Sequence, residues 1–468
     1  MIEGEFAVPA LGALADEVAA VLGGGRDPGV VAVERLLNAV VAHARRDREA
    51  LAAVLGRVPR QDGVRPDPRV RCVAGAVGAA VGPVRAEEGW ETAGAGWLEL
   101  CQHVAPDYVE GARIVELNAR LRAGDPVPFL LSVPSGPTGA VEPYALVERL
   151  AEYARLGVRP GPADLGVALL RCGGGDGRVD AEVVRAAEAL ETPEGSRVAA
   201  WLRQGGLPQP VSWRERESGA PERPSRRRGA RIGRRILVGH EAIEGRGEFP
   251  RRFWSVFRKF EPDIACAHWT LPDGRGAHTV ATLPWHPEIA AARLLTGVAS
   301  AADQDGSGAP GFLEALAAAP GPAGPAVHLA LAYGLASVPG ADREAAARAL
   351  VLLAARGRLD GELLGRELTE LVGLGTLKVP LLTESLRAAA AAPQGAAAVW
   401  PVLAAALPGL LIHTRPQAHG ALLAIAADSA RPAGARGELP EVTALALRPG
   451  SSQLLRQARR LHATLAGR

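Results

Sequence analysis

The sequence predicts a mainly α-helical fold: an irregular α-solenoid of stacked helical pairs with a small β-hairpin insertion around residues 236–285. Three observations carry this. Ala, Leu, Val and Arg recur at helical spacing along most of the 468 residues. Aromatic residues make up only 4%, and small apolar side chains suit close helix–helix contact, whereas strands favour β-branched and aromatic ones. Pro and Gly breaks separate the helical runs at irregular intervals, which argues against a regular tetratricopeptide or ankyrin array.

Taken in order, residues 1–125 form a first helical block. Asp27 is its clearest N-cap signal, with Pro28 at the first helical position and one apolar stripe of Val33, Leu36, Leu37, Val40 and Val41. Asp67 and Pro68 repeat the start signal. A second block, 126–207, opens with a short extended apolar piece and a Pro/Gly loop. Pro143 then starts a helix with Leu146, Val147, Leu150, Tyr153 and Leu156 on its buried face. Pro162 starts another helix, and Gly205 and Gly206 end the block. Residues 208–235 are rich in Pro, Arg and Gly without an apolar period, and read as a linker.

Residues 236–286 read as a small β element. Residues 236–243 look like one strand, and 268–285 like two short strands around a tight turn at Pro272–Gly276. This element is expected to join two helical blocks. The second of them is a C-terminal array, 287–468. There Asp342 and Asp360 read as helix caps, residues 325–337 as a central helix apolar nearly all round, and Ser451 or Ser452 as the cap of the last helix.

Composition narrows the function. The net charge of +2 gives no support to a whole-chain role on nucleic acid or a membrane surface. Cys72, Cys101, Cys172 and Cys266 are scattered, with no CxxC pair, which fits free thiols in a reducing cytoplasm. The N-terminal residues start acidic and lack the basic region of a signal peptide. The uncharged stretch 396–412 is alanine-rich and broken by Pro401 and Pro408, so a buried core helix is expected rather than a membrane span.

Motifs for chemistry mostly fail on spacing. His240-Glu241 with Glu244 lacks the second histidine a zinc-protease helix needs four residues on. Asp303, Asp305 and Gly306 resemble part of a calcium loop, but Ala301 and Phe312 stand where its first and last ligands belong. The glycine clusters near 172–177 and 372–375 fit no phosphate-binding pattern. One candidate metal set remains: Cys266 and His268, two apart and so on one face of a strand, with His278 returned opposite by the turn and His286 at the following helix start. Its spacing matches no common zinc module, and a structural hairpin explains the same residues. Arg223, Arg226, Arg227, Arg228, Arg231, Arg234 and Arg235 form a basic run that suits phosphates through charge alone, without the interleaved aromatics that stack bases.

Residues 145–171, 285–295, 349–390, 399–411 and 437–461 together resemble an uncharacterised family of high-GC bacteria, over the stretch from about 125 to the end. The resemblance implies a HEAT-like helical fold. It also implies gene neighbours that encode a SWIM zinc-finger protein, a MoxR-type AAA+ ATPase and a von Willebrand A protein. Longer members extend further N-terminally, so the resemblance is to the C-terminal half of those proteins. It implies no activity and no site residues.

The expectation is therefore a cytoplasmic, non-catalytic scaffold or adaptor that binds other proteins, with an AAA+ ATPase or a von Willebrand A protein as the implied partner. No catalytic, cofactor-binding or metal residue is assigned. Arg356, Arg358, Glu362, Arg366, Glu367 and Glu370 are the candidate contact surface. Two other readings stay open: a nucleic-acid-associated protein using residues 223–235, and a metal-dependent enzyme using the Cys/His set.

Overall fold

The structure, a computed structural model, describes residues 4–23, 28–58, 68–83, 105–173, 180–217, 234–244, 249–262, 275–303, 305–307, 310–413 and 416–467. Among these residues the chain forms 21 α-helices and one two-stranded sheet. They surround two hydrophobic cores.

The first core is built from α1 (Leu11–Gly23), α2 (Gly29–Arg46), α3 (Arg48–Leu55), α4 (Pro68–Val81), α5 (Ala105–Ala123), α6 (Pro143–Arg155), α7 (Pro162–Arg171), α8 (Ala181–Glu188) and α9 (Pro193–Gln204). The stripe read from the sequence on α2 is fully buried here. Pro stands in the first turn of α6, α7 and α9, where its missing N–H costs nothing. Asp47 caps α3, accepting from the Ala50 amide. Gly205 closes α9 with φ of 73°, a left-handed conformation that glycine adopts without strain. A later aromatic segment, Phe249 to α10 (Trp254–Phe257), also belongs to this core, with Phe249, Phe253 and Phe257 buried together.

The second core lies among α12 (Pro287–Asp303), α13 (Pro310–Ala318), α14 (Pro325–Leu335), α15 (Gly340–Ala355), α16 (Gly361–Gly373), α17 (Val379–Ala391), α18 (Gly395–His413), α19 (Pro416–Ala430), α20 (Pro440–Ala446) and α21 (Gln453–Leu465). α11 (Arg275–Thr282) precedes them. Each helix from α11 to α17 touches the helix two along, and so does α19 with α21. α14 is buried at every position from Ala326 to Leu335, as expected of a central helix. Ion pairs span α13 and α15 (Glu314–Arg348, 2.7 Å), α15 and α17 (Glu384–Arg343, 3.1 Å), and α19 and α21 (Asp428–Arg460). α18 keeps Pro401 and Pro408 inside the helix and buries Val399, Val402, Leu403, Ala406, Leu407 and Leu410 in the second core. It is the one described helix long and apolar enough to cross a membrane, and Ile412 at its end is 72% exposed.

The sheet is antiparallel, β1 (Ser212–Glu217) against β2 (Arg235–His240), in register from Ser212↔His240 to Glu217↔Arg235. The strand expected from 236 is present. Its partner comes from the stretch read as a linker, because alternating charges hid β1: one face of that strand needs no apolar residues. Across 275–282, where a returning strand was expected, the chain is α11, which is placed against α2, α5, α7 and α13. Val280 and Ala281 are buried there, so tertiary burial outweighed local strand propensity. Asp342 is also not a cap. α15 begins at Gly340, and the Asp342 carboxylate accepts from the hydroxyls of Ser307 and Ser337. Asp360 and Ser452 do cap α16 and α21.

Candidate functional site at the joint between the cores

Of the four candidate metal ligands, Cys266 and His268 lie outside the described residues, as do Arg223, Arg226, Arg227, Arg228 and Arg231. His278 is on helix α11 rather than a strand. His286 is buried just before α12, its Nε2–H donating to the Leu207 carbonyl at 3.1 Å. Among the described residues no three His, Cys, Asp or Glu side chains gather as a metal-binding group. The expected contact surface is largely used inside the chain. Arg356 and Arg358 donate to carbonyls of Ala317, Ala318 and Ala319 at the end of α13, where a cation offsets the negative helix terminus. Glu367 and Glu370 both hold Arg214 of β1 (2.7 and 2.6 Å). Only Glu362 and Arg366 remain as an exposed pair.

The stretch from Thr282 to Glu288 bonds to both cores. Toward the first, the single Thr282 hydroxyl proton is shared between Glu110 (3.1 Å) and the His278 carbonyl of its own helix (2.9 Å), Trp285 Nε1–H donates to the Arg171 carbonyl (3.0 Å) and His286 to Leu207, while Gln209 donates to the Trp285 carbonyl (3.1 Å). Toward the second, the Pro284 carbonyl accepts from the Gly321 amide (3.1 Å). The buried Glu288 carboxylate accepts from the amides of Gly324, Ala326 and Val327 (2.7, 3.0 and 3.0 Å). A carboxylate at three N-terminal amides of α14 satisfies donors the helix itself cannot. Burial raises the Glu288 pKa, and these amides act against it. Side chains follow the same division: Leu283 and Ile289 belong to the first core, Ala290 and Ala291 to the second. Two glycines allow the close fit. A Cβ on Gly173 would stand 2.7 Å from the Trp285 ring, and one on Gly321 would stand 2.2 Å from the Trp285 carbonyl oxygen.

Beneath the joint is a buried charge network that the sequence reading missed. Arg113 donates to both oxygens of Glu34 (2.8 and 2.7 Å) and to the Ser132 hydroxyl (2.8 Å). Arg171 donates to Glu34 (2.8 Å), Glu110 (3.0 Å) and the Ser132 carbonyl (2.7 Å). Glu110 also pairs with Arg113 at 2.7 Å. Asp164 accepts from the Leu131 and Ser132 amides and the Ser132 hydroxyl. Burial alone would raise the Glu34 pKa, but Arg113 and Arg171 hold it well below the usual carboxylate range. For Arg113, burial opposes the charge, and Glu110 and Glu34 outweigh it. Glu116 accepts from the Ala163 and Asp164 amides at the start of α7, and burial pushes its pKa up to about 7. The available sequence signal was Glu34 beside Val33 on an otherwise apolar face.

Three buried histidines have depressed pKa values. His240 is pushed down to about 4 by burial and then by Arg293. Burial also lowers His286 and His328. The chain matches no family model, no curated protein and no solved structure.

Proposed function

We propose that the chain is a non-catalytic, HEAT-like helical-repeat scaffold in the cytoplasm that binds other proteins. An ATPase of the MoxR class or a von Willebrand A protein is the partner implied by the sequence resemblance. The observation that supports this reading is the succession of contacts from α11 to α19, each helix against the one two along. Helical pairs stacked in that order expose long surfaces suited to partner binding without a catalytic group. The buried charges fit the same reading, since they meet other charges, helix ends or backbone groups within the chain.

The test is affinity capture with the tagged full chain from a high-GC bacterial host, against an unrelated helical protein as control. Selective enrichment of a MoxR-class ATPase or a von Willebrand A protein is expected. Equal recovery on the control would remove the partner assignment.

A further inference from the structure

We propose that the joint is an acid-sensitive latch: protonation of His286 releases the first core's hold on the helical array. The geometry begins with the Leu207 carbonyl. As an acceptor, it requires the proton of neutral His286 to sit on Nε2. Nδ1 is then the bare nitrogen. It is buried and has no hydrogen-bond partner among the described residues. A second proton would put a positive charge into a site shielded from water, on a nitrogen that as placed has no hydrogen-bond partner among the described residues.

Among the described residues, the carboxylates on the surrounding elements are already bonded to other groups. Arg171 at the end of α7 is bound to Glu34 and Glu110. Glu110 on α5 is shared among Arg113, Arg171 and Thr282. Glu288 on α12 is taken up by the α14 amides. Arg293, also on α12, donates to the Ser255 and Val256 carbonyls. On the α9 side the groups acting on the ring are the carbonyls of Leu207 and Pro208, which favour its charged form less strongly than burial disfavours it.

The direction follows from linkage. The folded ring holds its proton less tightly than a ring in water, so the latch is closed at and above the ordinary histidine range and opens as pH falls below it. A charged ring gains hydration by turning out to water, which breaks its bond to Leu207. Trp285–Arg171, with the shared Thr282–Glu110 bond, keeps the two cores tethered. The result is opening about a hinge rather than separation. This mechanism does not depend on what the array binds.

The experiment is small-angle scattering of the full chain across an acid titration, with far-UV circular dichroism on the same samples. Wild type, His286→Gln and His328→Gln are compared; glutamine preserves an N–H donor but does not titrate. Wild type and His328→Gln should expand at the same pH while helicity is retained. His286→Gln should expand only about one pH unit lower, or not before unfolding. Equal midpoints for wild type and His286→Gln would overturn the proposal, as would expansion that coincides with loss of helicity in wild type. Should His286→Gln fail to fold at neutral pH, hydrogen exchange of wild type decides. Peptides covering 205–209 and 283–290 must lose protection before those of α14–α18, and simultaneous loss refutes the latch.

Discussion

Glu34→Gln probes the charge network most directly. It removes one negative charge that accepts three hydrogen bonds from two guanidinium groups, with all three side chains about 2–3% exposed. Deleting one partner of a buried ion pair costs about 3–5 kcal/mol, because the remaining charge stays desolvated. Glu110 moderates the loss, since it already lies 2.7 Å from Arg113 and 3.0 Å from Arg171. One carboxylate serving both arginines puts the expected cost near the lower end, about 3 kcal/mol. For a unit of roughly 200 residues this corresponds to a fall in melting temperature of about 6–12 °C. Calorimetry and guanidinium titration should show the shift in the transition of the first core. The wild-type contribution is full above the unfolded carboxylate pKa of about 4.3 and is lost as pH falls through the depressed folded value. The wild-type minus variant difference should therefore shrink in acid. A cost below about 1 kcal/mol at neutral pH would refute the claim that Glu34 neutralises both arginines.

Two further changes test the close fit and the array. Gly321→Ala forces a methyl group against the Trp285 backbone, which cannot yield as a flexible side chain would; a loss of about 1–3 kcal/mol is expected in urea titration, and an unchanged midpoint would contradict that fit. His328 donates from Nδ1 to the Gly324 carbonyl and accepts the Asp360 amide at Nε2, so it must be neutral, and Asp360 and Arg358 are the charged groups acting on it. Its folded pKa lies below that of the unfolded chain, so its share of stability is complete above about pH 6.5 and falls as the solution is acidified. His328→Phe should remove that part of the pH dependence and cost about 1–3 kcal/mol at neutral pH through the orphaned Asp360 amide; an unaltered pH–stability curve would exclude this role.

Much of the helical layout was legible because its signals are local. Pro143 and Pro162 start helices, Gly205 ends one, and Asp360 and Ser452 cap two more. Each acts through backbone groups within a few residues. The stripe on α2 was equally readable, since a repeat near 3.6 residues already states which face is buried. β1 was not legible. Ser212–Glu217 carries almost no apolar signal, and its place as a strand depends on β2, whose first residue lies eighteen positions beyond its last.

Residue type and spacing by themselves determined that this chain is mostly helix and where several helices begin and end, because capping and amphipathic periodicity are properties of neighbouring residues. Tertiary structure alone decided what the charges are for. Glu34 meets Arg171 across 137 positions, and Arg214 meets Glu367 across 153. A Coulomb partner is chosen by distance in space, which the chain order does not encode. The histidines illustrate the same limit: His278 and His286 suggested a metal by their spacing, yet helix formation put one on α11 and burial gave the other a backbone carbonyl at the joint between two cores.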